Sequence, residues 1–285
     1  MNKSSQSATK STEEYTIGFI GAGNMASSLI CGLIATGFPA QRIWTSDLDT
    51  QQLARLAKDQ DVHTTSDNNQ LVSQVDVVVL AVKPQVVPDV VRPLHKGMLE
   101  GNTLVISIAA GINSTALNAW LPEVPVIRCM PNTPALVGQG VTGLFATSKV
   151  SDQQKQAAEM IMQAVGQTVW LDDETLIDTV TAVSGSGPAY FFLLMEAMEA
   201  AAIDLGVTPE TARLLVQQTA LGAATMVAET GESPAQLRRK VTSPGGTTEK
   251  ALGIFEQHNF KPVVAKALQG AYDRSIELSK IIGQS

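Results

Sequence analysis

Tyr15–Thr16–Ile17–Gly18–Phe19–Ile20 runs directly into Gly21–Ala22–Gly23–Asn24–Met25–Ala26, and this junction decides the fold. The first six residues have the β-branched and aromatic character of a short strand. From Asn24 to Thr36 the pattern turns helical. Between them lies G-x-G-x-x-A. The first glycine permits a tight turn, and the second lets a pyrophosphate approach the backbone. The small third residue lets helix and strand pack closely, with phosphates at the helix N-terminus. In this strand–turn–helix setting the motif predicts dinucleotide binding.

Outward from that turn, strands and helices alternate. Arg42–Thr45 is a second strand and Gln51–Lys58 a helix; Val75–Val82, Thr103–Ile108 and Pro125–Met130 are further strands. These runs are nearly continuous and apolar, as strands buried on both faces must be. The alternation predicts an α/β fold with a doubly wound parallel sheet of the Rossmann type. Asp47 ends the second strand, where such a domain meets the adenosine ribose, and Thr45 and Ser46 offer hydroxyls to a 2′-phosphate. Past about residue 170 the strands stop. Ser186–Leu205, Thr208–Glu229, Ser233–Val241, Thr247–Phe260 and Pro262–Ile282 read as helices, punctuated by Thr208–Pro209, Ser233–Pro234–Ala235–Gln236, Gly206 and Gly231. The expected organisation is therefore a disordered polar tail at 1–14, a dinucleotide-binding domain at 15–171 and an all-helical domain at 172–285. Helices so rich in Ala and Leu, with few charges on any face, suggest dimerisation.

Composition narrows the function. The chain has 285 residues, with 20 Lys and Arg against 27 Asp and Glu, a net charge of −7 and no long basic block. Nucleic acid is thereby excluded as a partner. The longest apolar helix carries Glu196 and Glu199, so no membrane span is expected. Two distant cysteines and three scattered histidines give neither a disulfide framework nor a metal site. The polar N-terminus lacks the apolar core of a signal peptide, and the cytoplasm is the expected compartment.

Two further Gly-rich segments precede helices. They are Ser184–Gly185–Ser186–Gly187–Pro188 and Ser243–Pro244–Gly245–Gly246–Thr247–Thr248. A well-capped helix entry is the plain interpretation. The sharper one is an anion site, with helix-start N–H groups and Thr hydroxyls holding a carboxylate. Glu174 and Thr181 lie just upstream of the first segment. The loops Ala81–Val82–Lys83–Pro84, Ile108–Ala109–Ala110–Gly111 and Met130–Pro131–Asn132–Thr133–Pro134 should line the cofactor crevice.

Taken in order, FIGAGNMA, LAVKPQ, SIAAG, RCMPNTPAL, DTVTAVSGSGPAYFF and RRKVTSPGGTTEKAL resemble the Δ1-pyrroline-5-carboxylate reductases. The resemblance runs from about Tyr15 to the C-terminus. It implies reduction of the cyclic imine 1-pyrroline-5-carboxylate to L-proline, the last step of proline biosynthesis, with NADPH or NADH as hydride donor. It also implies a homodimer or a higher homo-oligomer of dimers. Carried over by position, Ile20, Gly21, Ala22, Gly23, Asn24, Met25, Asn68, Ala81, Val82, Lys83, Pro84, Ile108, Ala109, Ala110 and Lys240 contact the dinucleotide. Glu174, Thr247 and Thr248 match substrate-contacting positions, and Thr181 the catalytic position beside the imine nitrogen.

Two rivals share part of the pattern. A β-hydroxyacid dehydrogenase would require a catalytic lysine soon after the glycines, but Ala189–Tyr190–Phe191–Phe192–Leu193–Leu194–Met195 stands there. A non-catalytic dinucleotide sensor would have lost the substrate loops, and both are intact.

Overall fold

The computed structural model describes residues 14–282, so the tail expected at 1–14 lies, apart from Glu14, outside the described residues. β1 (Ile17–Ile20) is buried along its whole length. It leads into α1 (Asn24–Ala35), β2 (Ile43–Ser46), α2 (Thr50–Gln60), β3 (His63–Thr65), α3 (Asn68–Val72) and β4 (Val77–Leu80). Two short helices, α4 (Val87–Val91) and α5 (His95–Glu100), cross to β5 (Leu104–Ser107), and α6 (Ser114–Trp120) crosses to β6 (Val126–Met130). β7 (Gly140–Ala146), α7 (Asp152–Gln163) and β8 (Gly166–Trp170) complete the sheet. Its order is β3-β2-β1-β4-β5-β6-β7-β8.

The strands read as unbroken apolar runs because alternate residues serve two cores. Ile17, Phe19, Val77, Val79, Leu104 and Ile106 pack on one face with Leu29, Leu33 and Ile161. Ile20, Val78, Leu80 and Val105 pack on the other with Val87, Met98 and Leu117. Helices therefore cover both faces, as a doubly wound sheet demands.

Two features depart from the expected all-parallel pattern. β7 runs antiparallel to β6. The link between them is too short for a parallel crossover, which takes about a dozen residues or more. β8 then pairs parallel to β7. Neither strand was anticipated, nor was the short β3, since in GVTGLFA and GQTVW glycine and Gln interrupt the apolar run.

The chain divides into two compact units, Met1–Gly185 with Tyr272–Ser285, and Ser186–Ala271. This division falls later than the boundary at 171 and 172 expected from the sequence. α8 (Leu176–Val180) packs against β6 and β7, and a π-turn at Thr181–Gly185 continues it. The last turns of α13 (Phe260–Ile282) also belong to the first unit, where Ser275 Oγ donates to Asp178 Oδ1 at 2.6 Å.

The second unit contains α9 (Gly187–Asp204), α10 (Pro209–Thr230), α11 (Pro234–Lys240), α12 (Thr247–Gln257) and the start of α13. Thr208 caps α10, and the capping box of Ser233 with Gln236 opens α11. Gly206 and Gly231 end α9 and α10 in the left-handed region. On α9, Phe191, Phe192 and Leu193 are 65%, 62% and 66% exposed, and Leu214, Leu215 and Leu221 on α10 are similarly uncovered. Burying such a side chain contributes about 1.5–3 kcal/mol, so these helices have an apolar face made for covering.

At Gly32 of α1 a Cβ would lie 2.4 Å from the Ala164 carbonyl oxygen, at the end of α7. Alanine favours a helix interior over glycine by about 1 kcal/mol. Overpacking against a backbone atom that cannot swing away costs up to about 3 kcal/mol. The clash therefore wins. Gly32→Ala should lower stability in urea titration by about 2 kcal/mol, and an unchanged or raised midpoint would contradict the close packing.

Candidate active site

The C-terminal ends of β1 and β4 meet where the strand order reverses. Gly21 donates to Ser46 O at 2.8 Å, Ala81 N to Ile20 O at 2.8 Å, and Ile108 N to Leu80 O at 3.2 Å. The loops after β1, β2, β4 and β5 are thus adjacent along one sheet edge. Gly21 has φ +103°, and a Cβ there would lie 2.6 Å from Ala81 O. The turn needs glycine for both reasons. Ala22 N donates to Asp47 Oδ2 at 2.7 Å. Its carbonyl accepts from Ser27 Oγ at 3.2 Å and Gln52 Nε2 at 3.1 Å. The loop is held from three sides.

Gly23 is the N-cap of α1, with no side chain capping the helix and open space where a Cβ would stand. Four other helix starts of this unit are closed by side chains: Asp49 on α2, Asp67 on α3, Asn113 on α6 and Ser151 on α7. A bare helix start with a glycine at its mouth fits a dinucleotide pyrophosphate, whose charge meets the N–H groups and the positive end of the helix.

The structure brings Ile20–Met25, Asp47, Asn68, Ala81–Pro84 and Ile108–Ala110 to this edge. The side chains of β2 differ from expectation. Thr45 is fully buried and Ser46 nearly so, and Ser46 Oγ donates to Asn68 Oδ1 at 2.7 Å. Neither offers a hydroxyl to a 2′-phosphate, because the sheet is covered on both faces and each of these neighbours is buried on its own side. Asp47 binds the loop N–H of Ala22 through one oxygen and accepts from Asp49 N at 2.9 Å through the other. Lys240 belongs to the other unit, where it pairs with Glu232 at 2.6 Å.

Among the residues matched to substrate, Glu174 and Thr181 lie on the first unit, Thr247 and Thr248 on the second. Glu174 Oε1 accepts from Ser114 N at 2.6 Å and pairs with Arg128 Nη1 at 3.0 Å. Its other oxygen accepts from Ser114 Oγ. Arg128 is a buried cation in the middle of β6, and sequence reading missed its role. The signal was there, a charge between Ile127 and Cys129 in an otherwise apolar strand. Thr181 Oγ1 donates to Ile177 O at 2.8 Å, where α8 passes into the π-turn. α12 begins on Gly246, again with no side-chain cap, while Glu249 Oε2 accepts from Gly245 N at 2.8 Å. Burial pushes up the thiols of Cys129 and Cys31, the latter also through Asp59, so neither is poised as a nucleophile.

A family model described as pyrroline-5-carboxylate reductase dimerisation matches residues 174–278. A second, described as NADP oxidoreductase, coenzyme F420-dependent, matches residues 16–111. A pyrroline-5-carboxylate reductase of Pseudomonas aeruginosa is 51% identical over 94% of this chain and 98% of its own. The chain belongs to the pyrroline-5-carboxylate reductase family. A reductase of this family from Vibrio alginolyticus is 48% identical over 94% of this chain and 99% of its own. Among solved structures, the one from Coxiella burnetii superposes with a TM-score of 0.90 at 47% identity, covering 93% of this chain and 98% of that one. The Plasmodium falciparum structure, with NADP bound, gives 0.83 at 29% identity, covering 94% and 99%.

The two glycines of the loop should separate folding from binding. Gly21→Ala, which strikes Ala81 O, should lower the melting temperature by several degrees. Gly23→Ala, facing open space, should leave melting unchanged and weaken NADPH binding at least tenfold by calorimetry. Equal affinity in folded Gly23→Ala would remove the pyrophosphate from this helix start.

Proposed function

We infer that this chain reduces 1-pyrroline-5-carboxylate to L-proline with NADPH or NADH, the last step of proline biosynthesis, as a cytoplasmic homo-oligomer built of dimers. What carries it is the pair of bare helix starts. α1 and α12 begin on glycines without side-chain caps, and they stand at the motifs read as the pyrophosphate and carboxylate sites. Ile20–Met25, Asp47, Asn68, Ala81–Pro84 and Ile108–Ala110 hold the dinucleotide, with Lys240 a further contact. The reduced nicotinamide supplies a hydride to C5 of the ring when bound.

The chain's own task is positioning. Thr247 and Thr248, in the first turn of α12, take the substrate carboxylate with helix-start N–H groups and hydroxyls. Glu174 keeps acceptor capacity beyond its three protein donors, since a carboxylate offers about four lone-pair positions. The Thr181 hydroxyl already donates its hydrogen bond to Ile177 O, so its oxygen presents lone pairs. Such an oxygen suits the N–H of a protonated imine, which is far more electrophilic than the neutral form. The iminium arrives carrying its proton, and hydride at C5 makes the neutral amine, so no strong acid is needed. Orienting a reactant in this way can supply several kcal/mol of a barrier, on the order of 7–11 at its best.

Three measurements test this. NADPH and NADH oxidation, followed separately, should proceed with pyrroline-5-carboxylate, and NADP+ and NAD+ should not be reduced by 2- or 3-hydroxy acids; the reverse pattern would restore the hydroxyacid dehydrogenase alternative. Thr181→Val should lower kcat by about tenfold to a hundredfold, roughly 1.4–2.7 kcal/mol, with dinucleotide affinity unchanged. An unaltered kcat would return Thr181 to a purely helical role. Asp47 faces a 2′-phosphate as a like charge, worth up to about 4 kcal/mol near a surface and less in salt. Because it also holds Ala22 N, Asp47→Asn is a closer probe than a shorter side chain, keeping an acceptor for that N–H and giving up only the bond from Asp49 N along with the charge. The ratio of kcat/KM for NADPH over NADH should rise by about an order of magnitude, or roughly 1.4 kcal/mol. A constant ratio would take Asp47 away from the ribose.

A further inference from the structure

The segment from Glu174 to Ser184 carries Thr181 and is fastened to one strand at both ends. At its start, Glu174 pairs with Arg128 of β6 at 3.0 Å, the guanidinium side chain only 6% exposed. At its end, the Ser184 carbonyl accepts from Asn132 Nδ2 at 3.1 Å. Asn132 lies just past β6, is buried, and accepts from Val141 N at 3.0 Å through its other side-chain atom. Both faces of its amide are therefore used, and its orientation is fixed. Between these two ties sits Met130, so close to Gly185 that a Cβ there would lie 2.8 Å from Met130 Cε. The π-turn cannot carry a side chain at Gly185 without moving that methionine.

β6 also ends beside β5 at the edge that holds the dinucleotide loops. One strand thus positions the segment that bears Thr181 and borders the crevice for the cofactor. We propose that Arg128 and Asn132 are positioning residues: from β6 and its following loop they fix the Glu174–Ser184 segment, and through it the Thr181 oxygen, relative to the cofactor edge. This rests on the role assigned to Thr181 above. The physical case is that the hydrogen-bond acceptor and the carbon that receives hydride must be placed to within about half an ångström. A short α-helix running into a π-turn is not rigid alone, and π-turns are uncommon without a functional reason. Buried, fully satisfied polar ties supply the rigidity.

Asn132→Asp is the sharpest probe, because it retains an acceptor for Val141 N but loses the donor to Ser184 O. It should lower kcat at least tenfold, with the affinity for NADPH within twofold of the parent and KM for the imine changed far less than kcat. A role confined to stability would lower the melting temperature without that split. Arg128→Lys, which retains the charge beside Glu174 but not the planar fork, should show a smaller loss of the same kind, and it serves alone if Asn132→Asp does not fold. In a Thr181→Val background either substitution should cost less than threefold, because the group it positions is gone. Unchanged kcat in folded Asn132→Asp or Arg128→Lys, additive losses with Thr181→Val, or weakened NADPH binding would overturn the proposal. If Thr181→Val by itself leaves kcat intact, the role of Thr181 fails first and the proposal falls with it.

Discussion

Gly21 passes so near β4 that any side chain would collide with the Ala81 carbonyl, and its φ of +103° suits glycine. That contact closes the reversal point of the sheet and dictates where α1 begins. A helix start leaves backbone N–H groups without intrahelical partners. Four helices of the first unit, α2, α3, α6 and α7, settle this with Asp, Asn or Ser, but α1 starts on a bare glycine in open space. The unmet donors and the helix dipole together ask for an anion. Asp47, Ser27 and Gln52 hold the loop in shape beforehand, so little ordering remains to oppose binding.

The two units meet the requirement for a core differently. The first buries its strands in two apolar clusters. In the second, Ala212 and Val216 are the buried hydrophobic side chains among the described residues, while the large ones on α9 and α10 lie open. A unit with so little interior depends on covering by another surface. The family model for dimerisation matches this region, in keeping with the almost absent amphipathic pattern of α9 and α10. The stability of such a unit is inseparable from association.

Much of this was legible in the residues. The Gly21–Ala26 motif, the alternation behind it and the caps at Thr208 and Ser233 are local signals, and local rules bind them tightly. β7 and β8 were not legible because glycine and polar residues dilute the pattern of a short strand, and the antiparallel turn depends on a brief link after β6. The polar ties were hidden for a different reason. Glu174 with Ser114 and Arg128, and Asn132 with Ser184, join residues far apart in the chain. No spacing rule announces them. Thr45 and Ser46 looked available to a phosphate, but a sheet covered on both faces buries both hydroxyls, so a hydroxyl near a motif is not the same as a hydroxyl facing it.

The transfer itself is the most direct test of the account. Incubating the chain with 1-pyrroline-5-carboxylate and NADPH deuterated on the transferred face of nicotinamide C4 should give L-proline with one deuterium at C5, as read by mass spectrometry and NMR. One cofactor should be oxidised for each proline formed. Proline without deuterium at C5, or cofactor binding with no proline produced, would contradict a reductase acting by hydride delivery at this site.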